Sequence, residues 1–468
     1  MTERFKASRY NVAVPSEQEG VVLLFNTATR AMLSVEQPSY GALAPLFLDG
    51  RRGLPRDMLV PVDTSAFEPE TLQALQDGGF VIPESLDEVA VLRQHYEDER
   101  KDQRLYYTIG LTMACNFGCP YCFEKHLPLH MDEAVADATY GFILERIRAS
   151  NATSLSINWF GGEPLLVTDV LVYLSSKLKA ACQELGVEYK SLVITNGALL
   201  TAEVARRLAE AGVGSAQVTL DGPPEIHDKR RFYKGGRASF EQILGNLRAI
   251  RGILPVIIRV NVDQQNRPHL GELVRILENA QLFEGPKPAT IYASPVVPYT
   301  EQARMLAKVL EQKELPSLKD GLLEELKASG LPADTAMNSR SLLEQDRGGC
   351  SAMRNNSFVI GPRGHLFKCE LSIHDAEEAI GTVQTAPKTA PGQPVPEQPA
   401  TNKALSWQRY NPFDNEACSG CQFVPICKGG CPKKVMEHNE AVMKATCTYW
   451  DKNFPKLLKD AAKTVRGA

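Results

Sequence analysis

Three cysteines crowd into eight residues of this chain, Cys115-Asn-Phe-Gly-Cys119-Pro-Tyr-Cys122, separated by three residues and then by two. A structural zinc site normally closes with four protein ligands, so this loop alone leaves zinc one ligand short. The same three thiolates can hold three irons of a [4Fe–4S] cluster and leave the fourth iron without a protein ligand. A zinc site completed by a residue from elsewhere in the chain is the alternative that the loop by itself leaves open.

The rest of the cysteine usage bears on that choice. The chain has 468 residues and 11 cysteines, an odd number in a long chain that shows no apolar signal segment after its first residues. A secreted disulfide framework is therefore not expected. Cys182 stands alone in a helical pattern and reads as a small buried hydrophobe. The other ten fall into three near residue 120 and seven after residue 349. Thiolate metal ligands in a reducing cytoplasm explain that split. A net charge of −4 gives no footprint for nucleic acid. No run reaches the ~18 apolar residues of a membrane helix.

From residue 105 onward, strand and helix patterns alternate. Strands are expected over 106–113, 155–160, 192–195, 216–220, 256–262 and 289–297. Helices are expected over 132–149, 171–185, 202–211, 240–250 and 270–282. Six such repeats imply parallel strands with right-handed crossovers, and a partial (β/α)6 barrel fits them. In parallel α/β barrels the active site lies at the C-terminal ends of the strands. The first strand delivers the cysteine loop there, and the second ends in Gly161-Gly162-Glu163-Pro164. The third and fourth end near Asn196 and Thr219, and Asp221-Gly-Pro-Pro-Glu-Ile-His227-Asp228-Lys-Arg-Arg231 follows the fourth. Arg259 and Asn261 alternate with apolar neighbours on the fifth strand and are expected to face inward. A buried Arg needs an anion, either a ligand carboxylate or a structural ion pair.

The cysteine spacing, with Tyr121 as the aromatic before the third cysteine, resembles the signature of the radical S-adenosylmethionine (SAM) family. The resemblance implies a [4Fe–4S] cluster on Cys115, Cys119 and Cys122, whose open iron chelates SAM and whose electron releases a 5′-deoxyadenosyl radical. Gly161–Pro164 resembles the family's SAM-binding motif, with glycines that let backbone approach a ligand and Glu163 able to accept from an ammonium. Asn196 and Thr219 match positions that bind the ribose and carboxylate of SAM, with capping of the next helix as the alternative. The segment from Asp221 to Arg231 resembles one found in sulfatase maturases and peptide-modifying relatives.

Upstream, residues 1–100 carry a strand over 11–15 and a hairpin pattern, 21–25 and 31–35, around 26–30. Helices are expected over 37–48 and 68–76, and a charged connector over 85–104 has Ser85 as N-cap. The arrangement suggests a winged-helix-like module. It resembles leader-peptide recognition domains that hold an extended peptide on a strand edge, with a structural cap as the alternative.

After a helical bridge over 298–349, the seven remaining cysteines run Cys350-x13-Gly364-x4-Cys369, then Cys418-x2-Cys421-x5-Cys427-x3-Cys431, then Cys447. Order and spacing resemble the SPASM extension of radical SAM enzymes, which holds two auxiliary [4Fe–4S] clusters. The resemblance groups Cys418, Cys421, Cys427 and Cys447 on one cluster, and Cys350, Cys369 and Cys431 on the other. Alternation of this kind is also seen in two-cluster ferredoxins. Seven thiolates leave the second cluster one short. A substrate thiolate, Glu344, Asp346 or water are candidates for its fourth position. The proline-rich stretch over 385–399 reads as a solvated linker, with an SH3-type ligand as the alternative.

Together these residues suggest an α/β enzyme in four parts: 1–100 for peptide recognition, 101–297 for the partial barrel, 298–349 as a bridge and 350–468 for the auxiliary clusters. The function implied by the resemblance is radical crosslinking of a ribosomally made precursor peptide, with a thioether favoured over a carbon–carbon or ether bond. A flavodoxin- or ferredoxin-type electron donor goes with it. Formylglycine formation on a sulfatase and an iron–sulfur electron carrier are the rival functions. A carrier has no use for a SAM-binding motif.

Overall fold

The structure, a computed structural model, describes residues 4–47, 60–101, 103–299, 301, 305, 308–310, 314, 316–336, 350–384, 401–438 and 440–466. The chain forms two compact units, one of Met1–Lys101, Ser339–Arg354 and Gln408–Ala468, the other of Asp102–Asn338 and Asn355–Trp407. The sequence after residue 349 is thus shared between the two. Glu344, Asp346 and the proline-rich stretch over 385–399 lie outside the described residues, as do residues 337–349 of the expected bridge, which otherwise includes a helix at Pro316–Ala328 and a short turn at Ala333–Thr335.

In the first unit, strands β1 (Phe5–Ala7), β2 (Asn11–Pro15), β3 (Val21–Asn26) and β4 (Met32–Glu36) lead into helix α1 (Gln37–Leu43). Then follow β5 (Pro61–Val62), α2 (Pro69–Asp77), β6 (Val81–Pro83) and α3 (Glu88–Arg100). The strands make two antiparallel sheets, β5-β1-β6 and β2-β3-β4. The N-cap of α3 is Asp87, which accepts from the Ala90 amide at 3.0 Å, two residues beyond the expected Ser85.

Strand β3 explains why its sequence is a continuous apolar run instead of an alternating one. Successive side chains point to opposite faces of a sheet, and both faces of β3 are covered. Val22 and Leu24 join a core with Leu43, Leu46, Phe47, Leu75 and Phe80. Leu23 and Phe25, with Val12 and Val14 of β2, pack instead on Phe423, Phe454, Leu458 and Ala462 from the end of the chain. The Thr27 hydroxyl adds a bond to the Gln422 carbonyl at 2.5 Å. The N-terminal sheet and the C-terminal cysteine segment are one packed body.

In the second unit β7 (Arg104–Thr112), α4 (Glu133–Ala149), β8 (Ser154–Gly161), α5 (Thr168–Leu185), β9 (Glu188–Thr195) and α6 (Ala202–Glu210) come first. They are followed by β10 (Ser215–Thr219), α7 (Pro224–Arg230), α8 (Phe240–Ala249), β11 (Val256–Val262), α9 (Leu270–Asn279) and β12 (Thr290–Pro295). Strands β7 to β12 lie side by side in chain order and pair in parallel. The repeats expected from the sequence are present, with α7 in addition. The sheet also continues past β7. Strand β13 (Ser357–Ile360) pairs parallel to β7, and β14 (His365–Phe367) and β15 (Gly381–Thr382) follow antiparallel. Caps fix the helix starts: Asp132 accepts from the Val135 amide at 2.8 Å and Thr201 from Val204 at 3.3 Å. Cys182 is fully buried on α5.

Candidate active site

The cysteine loop leaves β7 at its C-terminal end and returns along it. Residue 129 closes the excursion, with Met113 N donating to Leu129 O at 2.9 Å and Met131 N to Leu111 O at 2.8 Å. Within the loop, Phe117 N points at Cys115 Sγ at 3.4 Å, and Cys122 Sγ lies 3.7 Å from His126 Nε2. Cys115, Cys119 and Cys122 stand within one another's electrostatic reach. Burial above all pushes Cys115 and Cys122 up to about 12, and raises Cys119 as well. Thiols held this far from water load with metal by losing protons to it. Among the described residues no group of three Cys, His, Asp or Glu side chains is drawn in around a single ion.

Neighbouring strand ends grip the loop. Gly162 N donates to Thr112 O and Glu163 N to Ala114 O, each at 2.9 Å. Here the glycines serve a purpose not expected from the sequence. A Cβ on Gly161 would stand 2.2 Å from Thr112 O, and one on Gly162 2.3 Å from Ala114 O. They let β8 close on the root of the cysteine loop, and Gly161 takes a φ of 141° to do so. Pro164 is buried behind them and opens a short turn.

Glu163 is fully buried. Its carboxylate accepts from Leu165 N at 3.0 Å, Thr195 Oγ1 at 2.7 Å and Asn196 N at 2.7 Å. Burial raises its pKa, and those three donors pull it back. Glu163 thus ties the end of β8 to the end of β9. Asn196 extends the tie to the loop, donating from Nδ2 to Asn116 Oδ1 at 2.7 Å. Neither Asn196 nor Thr219 caps the next helix. Thr201 caps α6, and α7 starts at Pro223 without a side-chain cap. Thr219 is buried at the end of β10.

The segment after β10 supplies residues whose roles the sequence did not reveal. Phe117 bridges to Tyr233, Gly118 N donates to Phe232 O at 2.9 Å and Lys234 N to Asn116 O at 2.9 Å. The loop therefore runs antiparallel to residues 232–234. Tyr121 turns its hydroxyl into this same segment, donating to Asp221 and accepting from Arg231 Nη1 at 2.8 Å and Asn261 Nδ2 at 3.4 Å. Arg230 pairs with Asp263 at 2.8 Å and Asp221 at 3.5 Å. His227 accepts from Asp221 N at 3.2 Å through Nδ1, which leaves the proton on Nε2 facing Ser239 Oγ at 3.1 Å. Burial foremost, then Arg231 and Arg230, hold that imidazole neutral, well below its usual pKa.

Arg259 meets only neutral oxygens: Asn261 Oδ1 at 2.8 Å, Ser294 Oγ at 3.2 Å and the Tyr292 hydroxyl at 3.4 Å. No carboxylate pairs with it among the described residues. Glu124, two residues past Cys122, is a further missed group. Its Oε2 is buried without a partner. Burial, then the negative charges of Glu370 and Glu163, raise it to about 8. Glu370 accepts from Thr108 Oγ1 at 2.8 Å.

In the first unit, Cys418 and Cys427 each feel the charges of Cys421 and Cys447. Burial raises Cys418 to about 11 and Cys427 to about 12. Cys431 belongs to the same unit and acts with Cys418 and Cys427 on Tyr410. Cys350 is also in this unit and exposed, while Cys369 is in the other.

Residues 109–308 match the Radical SAM superfamily. The chain is 26% identical over 342 residues to mycofactocin maturase MftC of Mycolicibacterium smegmatis, covering 70% of this chain and 78% of that one. Its fold is similar to native anSMEcpe with bound AdoMet and Cp18Cys peptide, at a TM-score of 0.54 and 19% identity over 77% of this chain and 99% of the other. It is also similar to Streptococcus suis SuiB bound to precursor peptide SuiA, at 0.51 and 14% over 92% and 97%. The matched stretch spans the parallel α/β sheet and the three-cysteine loop at the end of β7, and it is this domain, residues 109–308, that is similar to the Radical SAM superfamily.

Proposed function

We propose that this chain is a radical SAM/SPASM peptide maturase that crosslinks a ribosomally made precursor peptide. The observation that supports the reading most is the position of the Cys115–Cys122 loop, which leaves β7 at its C-terminal end, the end where parallel α/β enzymes place their chemistry. It is supported by relatives whose names describe peptide maturation.

The three thiolates would hold a [4Fe–4S] cluster with SAM on its open iron. That pair, when bound, supplies a reducing electron and a 5′-deoxyadenosyl radical. The protein's part is orientation and exclusion of water. Gly161 to Pro164, Asn196 and Thr219 border the position where SAM would lie. Arg259, which has only neutral oxygens around it, is the candidate for a SAM or peptide carboxylate. Cys418, Cys421, Cys427 and Cys447 would hold one auxiliary cluster, and Cys350, Cys369 and Cys431 a second whose fourth position takes a substrate thiolate. Strand β4, at one edge of the N-terminal sheet, would receive the leader by strand addition. A flavodoxin- or ferredoxin-type donor in the cytoplasm would feed the electron. No described helix is long and apolar enough to cross a membrane.

The test uses anaerobic, reconstituted protein with SAM, a strong reductant and the short peptide encoded beside its gene. The expected product is 5′-deoxyadenosine together with a peptide that has lost two hydrogens and kept its sulfur. A peptide converted to formylglycine, or no 5′-deoxyadenosine at all, would contradict the reading.

A further inference from the structure

The Tyr121 hydroxyl is fully used. One donor and two acceptor directions are available to a phenol, and Asp221, Arg231 and Asn261 take them. The aromatic of the cysteine motif is therefore bolted to the ends of β10 and β11 through its far tip. Arg231 is the notable member of the group. Its neighbour Arg230 has Asp263 and Asp221 within ion-pair distance. Arg231 has no carboxylate within that distance among the described residues, and its Nε is buried without a hydrogen-bond partner. Its guanidinium lies 6.0 Å from the Phe117 ring inside the cysteine loop, and its charge acts on Cys119.

The backbone leaves Arg231 little freedom. Its amide donates to His227 O at 2.7 Å, and its carbonyl accepts from Ser239 Oγ at 2.5 Å. The next residues, 232–234, are those paired with 116–118. A buried cation is costly and persists where negative charge compensates it. Asp221, which shares the Tyr121 hydroxyl with Arg231, supplies part of that charge, and Cys119 acts on the guanidinium as well. Three thiolates on a [4Fe–4S] core would add a second anion on the side of the cysteine loop.

We propose that Arg231, gripped by the Tyr121 hydroxyl, is a positioning residue that locks the cysteine loop onto the strand ends and supplies the buried positive charge facing the cluster on Cys115, Cys119 and Cys122. This rests on the cluster reading above. It adds that the segment from Asp221 to Arg231 is a brace for that cluster. Losing the charge lowers the cluster's reduction potential, because the reduced form carries one more negative charge. Losing the grip lets the loop drift and weakens SAM binding.

The experiment uses full-length, anaerobically reconstituted wild type, R231Q, R231K and Y121F. Iron and sulfide content, an EPR-monitored reductive titration and the change of the reduced-cluster signal on adding SAM are measured. In the wild type SAM must alter the signal; if it does not, the cluster reading itself fails. Given that change, R231Q is expected to keep its iron, reduce at lower potential and bind SAM about tenfold more weakly, a difference of ~1.4 kcal/mol. R231K keeps the charge and is expected to restore the potential while SAM binding stays weakened. Y121F is expected to retain iron and to weaken SAM binding. A wild-type potential in R231Q, no recovery in R231K, or wild-type SAM binding in Y121F would overturn the inference. If R231Q loses iron, R231K and Y121F decide by the same criteria.

Discussion

The two thiolate fields of this molecule are held by opposite means. The loop from Cys115 to Cys122 is fastened by polar contacts, strand end to strand end, through Glu163, Asn196, Tyr121 and Arg231. The field from Cys418 to Cys447 rests on an apolar cushion, in which Phe423 packs on Phe454 at 5.0 Å and on Trp450 at 6.3 Å, and Phe25 meets Phe454 at 5.8 Å. A polar brace is directional and leaves one side of a site free for a ligand to approach. An apolar cushion has no direction and suits a centre enclosed by its own chain. The contrast agrees with a first site that must admit SAM and a second that need only store or pass an electron.

The largest expected effects separate the two fields functionally. Cys115→Ala abolishes 5′-deoxyadenosine formation altogether, measured by chromatography after anaerobic incubation with SAM and reductant. Cys418→Ala leaves that cleavage in place and abolishes the modified peptide. Equal loss of both products in Cys418→Ala would erase the distinction.

Next in size is the cushion. Phe25 and Phe454 are both buried, and Phe→Ala in a packed core costs about 3–5 kcal/mol. Phe25→Ala is expected to lower the melting temperature and to shed iron from the C-terminal cysteines, while the SAM-induced EPR change persists. A variant with unaltered stability would show that the N-terminal sheet is not part of that body.

The polar brace gives a smaller effect. Glu163→Gln turns an amide group toward donors that now meet a carboxylate, at a cost of about 1–3 kcal/mol for an unsatisfied buried group. Thermal melts should show it, with SAM binding weakened in parallel. Wild-type SAM binding at reduced stability would make Glu163 purely a strand tie.

The smallest effect is a pH dependence. His227 has a folded pKa depressed below its usual value. Its neutral form thus stabilises the fold fully above pH ~6.5, and that contribution is lost as pH falls below this value toward the depressed pKa. His227→Gln should flatten the acid side of the stability curve below pH ~6.5, read by denaturant titrations at several pH values. An unchanged slope would contradict the assignment of a neutral, buried imidazole.

The sequence was most legible where signals are local. Strand β11 lies where the alternation of Val256 to Val262 puts it, and Asp132 stands at the start of α4 as expected. The hidden parts depend on partners distant in the chain. Ser357-Phe-Val-Ile360 is too short to announce a strand, and its partner β7 lies some 250 residues earlier in the chain. Val21 to Phe25 read as one apolar run, but its second face is covered by Phe423 and Phe454 from the far terminus. In the site, residue types were readable and their directions were not. Gly161 and Gly162 were read as backbone that a ligand can approach, and their close approach to Thr112 O and Ala114 O at the root of the cysteine loop was not legible. The partners of Tyr121, Asp221 and Arg231, emerge only once α7 turns them inward.

The most direct measurement is EPR of the reduced, anaerobically reconstituted protein with and without SAM, joined to a 5′-deoxyadenosine assay on the same sample. The account expects a cluster signal that changes when SAM is added, and nucleoside release that disappears in Cys115→Ala. Zinc in place of iron, or an iron signal indifferent to SAM with no nucleoside released, would contradict it.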